Sequence, residues 1–397
     1  MNKSRLMDIS IKISSGLTPL RSNPEFWESP DIPWVKTEQL GIKHIYDSNE
    51  KISKAALEKT TLKVNPPNTI SIAMYGEGRT RGNLSILKNE VTTNQACCNI
   101  VVDEKKAHYE YVYYFLKNQY NQLRSLSSGV RKNLNSNDIK YFPIMLPNRL
   151  VDQFEIARVL SNLDAKIELN NKINAELEAM AKLIYDYWFV QFDFPDANGK
   201  PYKSSGGKMV YNEALKREIP AGWVVGKLGE YAQVKKGELI TKKTSEKGAV
   251  KVVAAGIEFS YFHSEANCKE NTITVSGSGA SAGYINFWRE PIFASDCITI
   301  RGSSDAETLL ILGYLKTIQG YIFKQARGSA QPHVYPDDIS RLMYLKPPGS
   351  IIKKFGINIL ASNKKIATNK IENEMLIELR DWLLPMLMNG QVTMNDA

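Results

Sequence analysis

The chain has 397 residues, 43% of them hydrophobic, with 51 Lys and Arg against 42 Asp and Glu and a formal charge of +9. That is too long for one ordinary core and has the apolar content of a globular soluble protein, so two or three domains are predicted. The longest apolar run, near Leu309 to Leu315, is too short to span a bilayer, the first residues lack a signal-peptide core, and the cytoplasm with no membrane partner is expected.

The basic excess favours a polyanionic partner. Four cysteines (Cys97, Cys98, Cys268, Cys297) lack a C-x-x-C pairing and four histidines are scattered, which argues against a metal site and suggests small buried thiols in a reducing compartment.

From Met1 to about Pro147 the chain reads as mixed α/β. Thr69 to Met74 alternates like a half-buried strand and runs into a Gly-rich, Arg-bearing loop from Tyr75 to Gly82. Gln95 to Val102 reads as a second strand, Tyr109 to Ser125 as an amphipathic helix, and Ser127 to Asn133 as a basic loop. Phe154 to Phe189 contains no Gly or Pro. Leu160, Leu163, Ile167, Asn170, Asn174, Leu177, Ala181, Ile184 and Trp188 recur there in steps of three and four, the seam of a coiled coil in which two asparagines would fix register at a cost in stability. Asp193 to Lys208 breaks helix and strand alike and reads as a linker.

The pattern then restarts. Ile219 to Trp223 opens a second mixed segment, Asn271 to Val275 and Cys297 to Ile300 read as strands, Leu309 to Phe323 as a helix, and about Ile351 to Met388 as a last long helix. The chain is a duplication with a period of about 200 residues. Asp138-Ile139 matches Asp338-Ile339, Pro147 matches Pro347, Gly82 falls near Gly283 and Gly129 near Gly328. An offset of 199 pairs Leu160 with Ile359, Ile167 with Ile366, Asn170 with Asn369, Asn174 with Asn373, Leu177 with Leu376 and Ile184 with Leu383.

The expected fold is therefore α+β: two similar α/β domains separated by two long antiparallel coiled-coil helices, in a pseudo-two-fold internal repeat. The boundaries expected are 1–148, 149–192 for the central helix, 193–218 for the linker, 219–347, and 348–397 for the distal helix. Helices of about 36 residues are ~55 Å long. Two basic domains held at a fixed spacing suit double-stranded DNA, which repeats about every 34 Å.

Candidate base readers in the first copy are Arg79, Arg81, Asn94 and Gln95, because Arg favours guanine and Asn or Gln favours adenine. Lys36, Tyr75, Arg131 and Lys132 are further DNA contacts. In the second copy Lys235, Lys236, Lys242 and Lys243 suit phosphates. Ser276, Ser278, Gln331 and His333 are the candidates for bases, with Arg327 beside them. Each could equally be a solvated loop residue.

Two stretches carry a resemblance to a known family. Leu160-Ser161-Asn162-Leu163-Asp164-Ala165-Lys166-Ile167-Glu168-Leu169-Asn170-Asn171 and Tyr187-Trp188-Phe189-Val190-Gln191-Phe192-Asp193-Phe194-Pro195 resemble the specificity subunit of type I restriction-modification systems. The openings Pro24 to Trp27, Ile32 to Val35 and Ile219 to Trp223 support it. The resemblance implies two target-recognition domains, each reading half of a bipartite asymmetric site, with the helices setting the gap. It also implies two modification (methyltransferase) subunits docked on the helices, for which Glu176, Lys182, Tyr185, Trp188 and Phe189 are the candidates. Restriction subunits can join them. S-adenosylmethionine, ATP and Mg²⁺ would serve those partners, with no cofactor held by this chain. The second helix departs from the first at Ala361-Ser362-Asn363, and Pro385 is expected to interrupt its end.

The chain reads as non-catalytic. Asn65-Pro66-Pro67-Asn68 lacks the aromatic residue of an adenine-methyltransferase loop and reads as a turn. Glu104-Lys105-Lys106 reads as a charged turn, and no Walker-type loop occurs. A catalytic fusion, an orphan recognition subunit and a coiled-coil interaction protein remain open at this point.

Overall fold

Short β-branched and aromatic runs form the strands, and Gly, Pro and Asn end them, in the computed structural model of the chain, which describes residues 1–76, 80–126, 133–326 and 332–392. Two compact units result: Met1–Leu169 with Asn373–Ala397, and Asn170–Glu372. None of the helices among the described residues is long and apolar enough to cross a membrane.

In the first unit, strands β1 (Asn2–Arg5), β2 (Ser10–Ser15), β3 (Ile32–Val35), β4 (His44–Ile45), β5 (Glu50–Ile52), β6 (Thr69–Ala73), β7 (Leu84–Leu87), β8 (Thr92–Thr93), β9 (Cys97–Val102) and β10 (Pro143–Leu146) form three sheets. Their orders are β2-β9-β6-β7-β4, β5-β3-β8 and β1-β10. Helices α1 (Lys54–Glu58), α2 (Tyr109–Asn118), α3 (Tyr120–Ser125) and α4 (Ser136–Lys140) complete the domain. All of β6 is buried, because α2 covers one face of its sheet: Ile70, Ile72, Ile86 and Ile100 share a core with Tyr111, Tyr114 and Leu116. The long helix α5 (Leu150–Tyr185) begins four residues before the expected Phe154, where Arg149 and Asp152 pair across its first turn. The domain is fastened to α5 by polar side chains. Lys43 pairs with Glu110 at 2.8 Å and donates to Ser161 at 2.8 Å, while His44 meets Glu168 at 3.1 Å.

The second unit repeats this plan. Its strands are β11 (Met209–Asn212), β12 (Arg217–Pro220), β13 (Val224–Lys227), β14 (Ala232–Lys236), β15 (Val250–Val253), β16 (Tyr261–His263), β17 (Thr272–Ser276), β18 (Ile285–Trp288), β19 (Phe293–Ala294), β20 (Cys297–Gly302) and β21 (Met343–Lys346). Sheet β14-β20-β17-β18 reproduces β2-β9-β6-β7, β16-β15-β19 reproduces β5-β3-β8, and β13-β21 reproduces β1-β10. Even the mixed pairing recurs: β3 runs antiparallel to β5 and parallel to β8, as β15 does with β16 and β19. Helices α6 (Leu228–Tyr231), α7 (Asp305–Thr317), α8 (Gln319–Gln325) and α9 (Pro336–Ser340) follow, and α10 (Gly349–Met388) ends the chain. Gly82 and Gly283 hold the same left-handed turn, with φ of +87° and +88°, which disfavours any side chain at either position.

The two long helices each pass from one unit into the other in sequence, and within the second unit they run antiparallel. Asn369 donates to Asn174 Oδ1 at 2.9 Å, and Asn170 donates to Glu372 at 2.8 Å, so numbers rise along α5 as they fall along α10. The asparagines that the seam places at matching heights therefore bond within the helix pair, and Asn170, Asn174, Asn369 and Asn373 are all buried. In the first unit the partners are Asp164 and Arg380, 2.7 Å apart.

Three expectations need correction. The stretch 193–218 is not a plain linker, because β11 and β12 form a hairpin and Phe194 is buried, stacked on Tyr202 at 4.7 Å and Trp223 at 5.3 Å. Pro385 does not interrupt α10; it lies in the last turn, where few backbone bonds are lost, and Leu384, Leu387 and Met388 anchor that turn in the core. Finally, α5 stops at Tyr185 and continues as a π-helical turn, Asp186–Val190, that turns Trp188 and Phe189 inward.

Candidate nucleic-acid interface

In each unit the same chain turns converge at one end of the main sheet. In the first, Gly16 N donates to Cys97 O at 3.2 Å and Leu17 N to Thr93 O at 3.0 Å; Asn94 N donates to Val35 O at 3.0 Å and Met74 N to Ala96 O at 2.8 Å. A Cβ on Gly16 would lie 2.1 Å from Thr93 O, so only glycine permits that approach. These bonds bring Lys36, Tyr75, Asn94 and Gln95 together, with Arg81 beside the turn that Gly82 closes onto Ala73 O.

The side chains in this cluster differ in access. Tyr75 is 40% exposed, and Gln95 is exposed with its carbonyl oxygen accepting from the Thr18 hydroxyl. Lys36 pairs with Glu38 at 2.9 Å and Glu50 at 3.6 Å. The bond to Glu38 raises its pKa first, and the charge of Glu50 adds to this, so the ammonium is held charged. Asn94 is half-buried, and its side-chain oxygen is buried with no hydrogen-bond partner among the described residues, so only its amide nitrogen is left to meet a base edge. Arg79, Arg131 and Lys132 lie outside the described residues.

The second unit builds the equivalent end from different side chains. Gly237 N donates to Cys297 O at 2.8 Å, Ser295 N to Val253 O at 2.7 Å, and Val334 N to Gly277 O at 3.0 Å. Again a Cβ on the glycine, Gly237, would fall 2.1 Å from a carbonyl, here Ser295 O. Ser278 donates to Asp296 Oδ2 at 2.7 Å and its backbone bridges to His333, whose ring stacks on Tyr335 at 6.1 Å. Lys235 and Lys236, at the end of β14, and Lys242 are exposed. Ser276 is a correction: it is 4% exposed at the end of the fully buried β17, and its hydroxyl faces Gly256 O at 3.4 Å. Arg327 and Gln331 lie outside the described residues.

Residue-type reasoning missed Asp296 and Tyr335. The repeat itself carried the signal: Asn94 N bonds Val35 O as Ser295 N bonds Val253 O, and Gly16 N bonds Cys97 O as Gly237 N bonds Cys297 O, so Asp296 alone fills the turn that Gln95 and Ala96 fill in the first copy. That turn carries an amide in the first copy and a carboxylate in the second.

On the long helix, Glu176 is exposed and Lys182 is exposed beside Asp186. Tyr185, Trp188 and Phe189 are a second correction, being 8%, 8% and 6% exposed. They pack inside the second unit with Phe355 and Trp223, Phe189 meeting Phe355 edge-on at 5.1 Å, and leave little surface for a partner. The suspected chemical motifs are turns: Asn68 adopts φ of 66° after Pro66-Pro67, and Asp103 accepts from Lys105 N at 3.1 Å. Among the described residues no three His, Cys, Asp or Glu side chains are placed to hold a metal ion.

The sequence profile described as "Type I restriction modification DNA specificity domain" matches residues 1–179 and 220–370. The chain is 27% identical to the type I restriction enzyme MjaIX specificity subunit of Methanocaldococcus jannaschii, over 99% of this chain and 93% of that one. It is 22% identical to the HindI specificity subunit of Haemophilus influenzae, over 67% and 72%. Among solved structures it shares its fold with a type I restriction-modification S subunit from M. genitalium, with a TM-score of 0.61 at 19% identity, covering 97% of this chain and 95% of that one.

Proposed function

Because this chain belongs to the type I restriction-modification DNA specificity family, we propose that its two domains each read one half of a bipartite, asymmetric DNA site. The observation that carries this reading is the repeat: one backbone plan used twice, with Tyr75 and Gln95 at the sheet end of one copy and Ser278 and Asp296 at that of the other. Equal scaffolds fix equal approach to a duplex, and unequal side chains select unequal bases. Lys36 in the first copy, and Lys235, Lys236 and Lys242 in the second, supply phosphate contacts that position each domain. Gln95, Arg81, Tyr75, Ser278 and His333 are the base-contact set; the arginines and Lys132 of the loops outside the described residues, with Gln331, complete it.

In this reading the chain is non-catalytic and acts in the cytoplasm. Two modification subunits dock on the long helices, where Glu176 and Lys182 offer exposed polar contacts, and restriction subunits join that assembly. S-adenosylmethionine, ATP and Mg²⁺ belong to those partners. The test is to map methylated adenines in cells that carry the neighbouring methyltransferase gene with and without this one. A two-part motif methylated only when this chain is present is the expected result; an identical methylation pattern in both strains contradicts the proposal.

A further inference from the structure

One place in the repeat is filled in the first copy and open in the second. In the first unit, Tyr114 of α2 donates to Asp164 Oδ2 at 2.5 Å and Arg380 donates to Asp164 Oδ1 at 2.7 Å, closing the space where α2 meets the long helices. The helix pairs α2–α3 and α7–α8 break at Gln119 and Ile318 with matching backbone angles, φ −93° and −105°. This makes Gly313 the counterpart of Tyr114 and Lys316 that of Lys117. The 199-residue offset of the long helices makes Asn363 the counterpart of Asp164, and Ala181 that of Arg380.

Gly313, Asn363 and Ala181 all line a cavity of about 700 Å³ in the second unit. Tyr185 fills part of the vacated space, since a Cβ on Gly313 would lie 2.2 Å from its ring. What remains has an apolar wall of Leu177, Phe287, Leu312, Phe355 and Ile359. Its charges are unbalanced. Lys182, Arg289, Lys316 and Lys370 line it against Glu178 and Asp186. Glu178 pairs with Arg289 at 3.1 Å and Asp186 with Lys182, so among the described residues no carboxylate pairs with Lys316, which donates to Ile285 O at 2.7 Å, or with Lys370. In the first copy the Asp164 charge acts on Lys117, the counterpart of Lys316; here Asn363 spends its amide on Asn271 at 2.8 Å and its oxygen on Arg289 at 2.8 Å. Both lysines are exposed residues at the rim of the cavity, where partial desolvation lowers the pKa of each.

We infer that this cavity binds an amphipathic organic anion, with a phosphate or carboxylate between Lys316 and Lys370 and an apolar body against Leu177, Leu312 and Phe355. A ligand anion supplies Lys316 with the negative charge that Asp164 gives Lys117, and the volume lies within the range of about 300–1,000 Å³ usual for small-molecule sites. This site is separate from the DNA-facing loops and does not depend on the DNA-reading proposal.

The experiment titrates the full-length chain with the aromatic sulfonate 8-anilinonaphthalene-1-sulfonate, followed by fluorescence. One saturable site is expected. Lys370→Gln removes a cation and Asn363→Asp restores the first copy's carboxylate, so each weakens binding at least about tenfold. Melting curves show that each variant is folded, and Lys370→Gln carries the test if Asn363→Asp is not. Phenyl phosphate and benzoate, as competitors, tell which anion the site prefers, and displacement by either supports the inference. Equal affinity of wild type and the folded variants, or displacement by neither competitor, overturns it.

Discussion

At the residue scale, Asp164 is the most heavily committed polar group in the first unit. It accepts from Tyr114 and Arg380, and Lys117 adds a nearby charge. Burial by itself would raise its pKa; the Lys117 charge, the Tyr114 hydroxyl and Arg380 outweigh that and hold it below the ordinary carboxylate value. A carboxyl with a lowered folded-state pKa contributes stability that is full above the unfolded value of about 3.9 and is lost as pH falls through the folded value below it. Asp164→Asn leaves half-buried Arg380 with only the exposed Asp381 carboxylate, so it should destabilise the first unit by about 2 kcal/mol at neutral pH. The difference from wild type should shrink as pH drops below about 4. Denaturation followed at pH 7 and pH 3 checks both; a variant as stable as wild type at pH 7 would contradict the role given to this group.

At the element scale, the long helices were the most legible part of the chain. A seam in steps of three and four, with asparagine at two matching heights, needs only the period of the helix to be read, and Asn174 and Asn369 do bond across the pair. The ends were less legible. Trp188 continues the seam in sequence, yet a π-helical turn swings it and Phe189 into the second unit's aromatic core, a tertiary effect that no local pattern encodes. The hairpin in 193–218 was hidden for the same reason: Gly, Ser and Lys mark turns, and the buried contacts of Phe194 with Trp223 come from distant sequence. Ser276 shows the limit for sites, since residue type names a base reader and only packing decides whether it faces outward.

The unit boundaries also give an element-scale test. They cut α5 between Leu169 and Asn170 and α10 between Glu372 and Asn373. One heptad inserted at each cut keeps every contact within a unit and the seam in phase. Seven residues add ~10 Å of helix, about three base pairs of duplex. Methylation mapping should find both half-sites unchanged and the gap between them longer by about three base pairs; an unchanged gap would mean that the helices do not set the distance.

At the scale of the whole molecule, the duplication is what would let one fold read two different sequences under the proposed function. The matching sheet orders, the paired glycines Gly16 with Gly237 and Gly82 with Gly283, and the recurring backbone bonds hold the frame constant. In that reading the amide of Gln95 and the carboxylate of Asp296 carry part of the difference. Each domain also has its own fastening to the helices, Lys43, His44 and Glu110 to Ser161 and Glu168 in the first unit, and Arg289 to Glu178 and Asn363 in the second. A domain replaced without disturbing those fastenings should therefore leave the other domain's reading intact.

The most direct measurement is the methylated site after residues 1–147 are replaced by the corresponding domain of another family member, keeping Lys43, His44, Glu110 and Tyr114 to seat it on α5. One half-site should change to that of the donor while the other half-site stays as in wild type. A change in both half-sites, or in neither, would contradict the modular account.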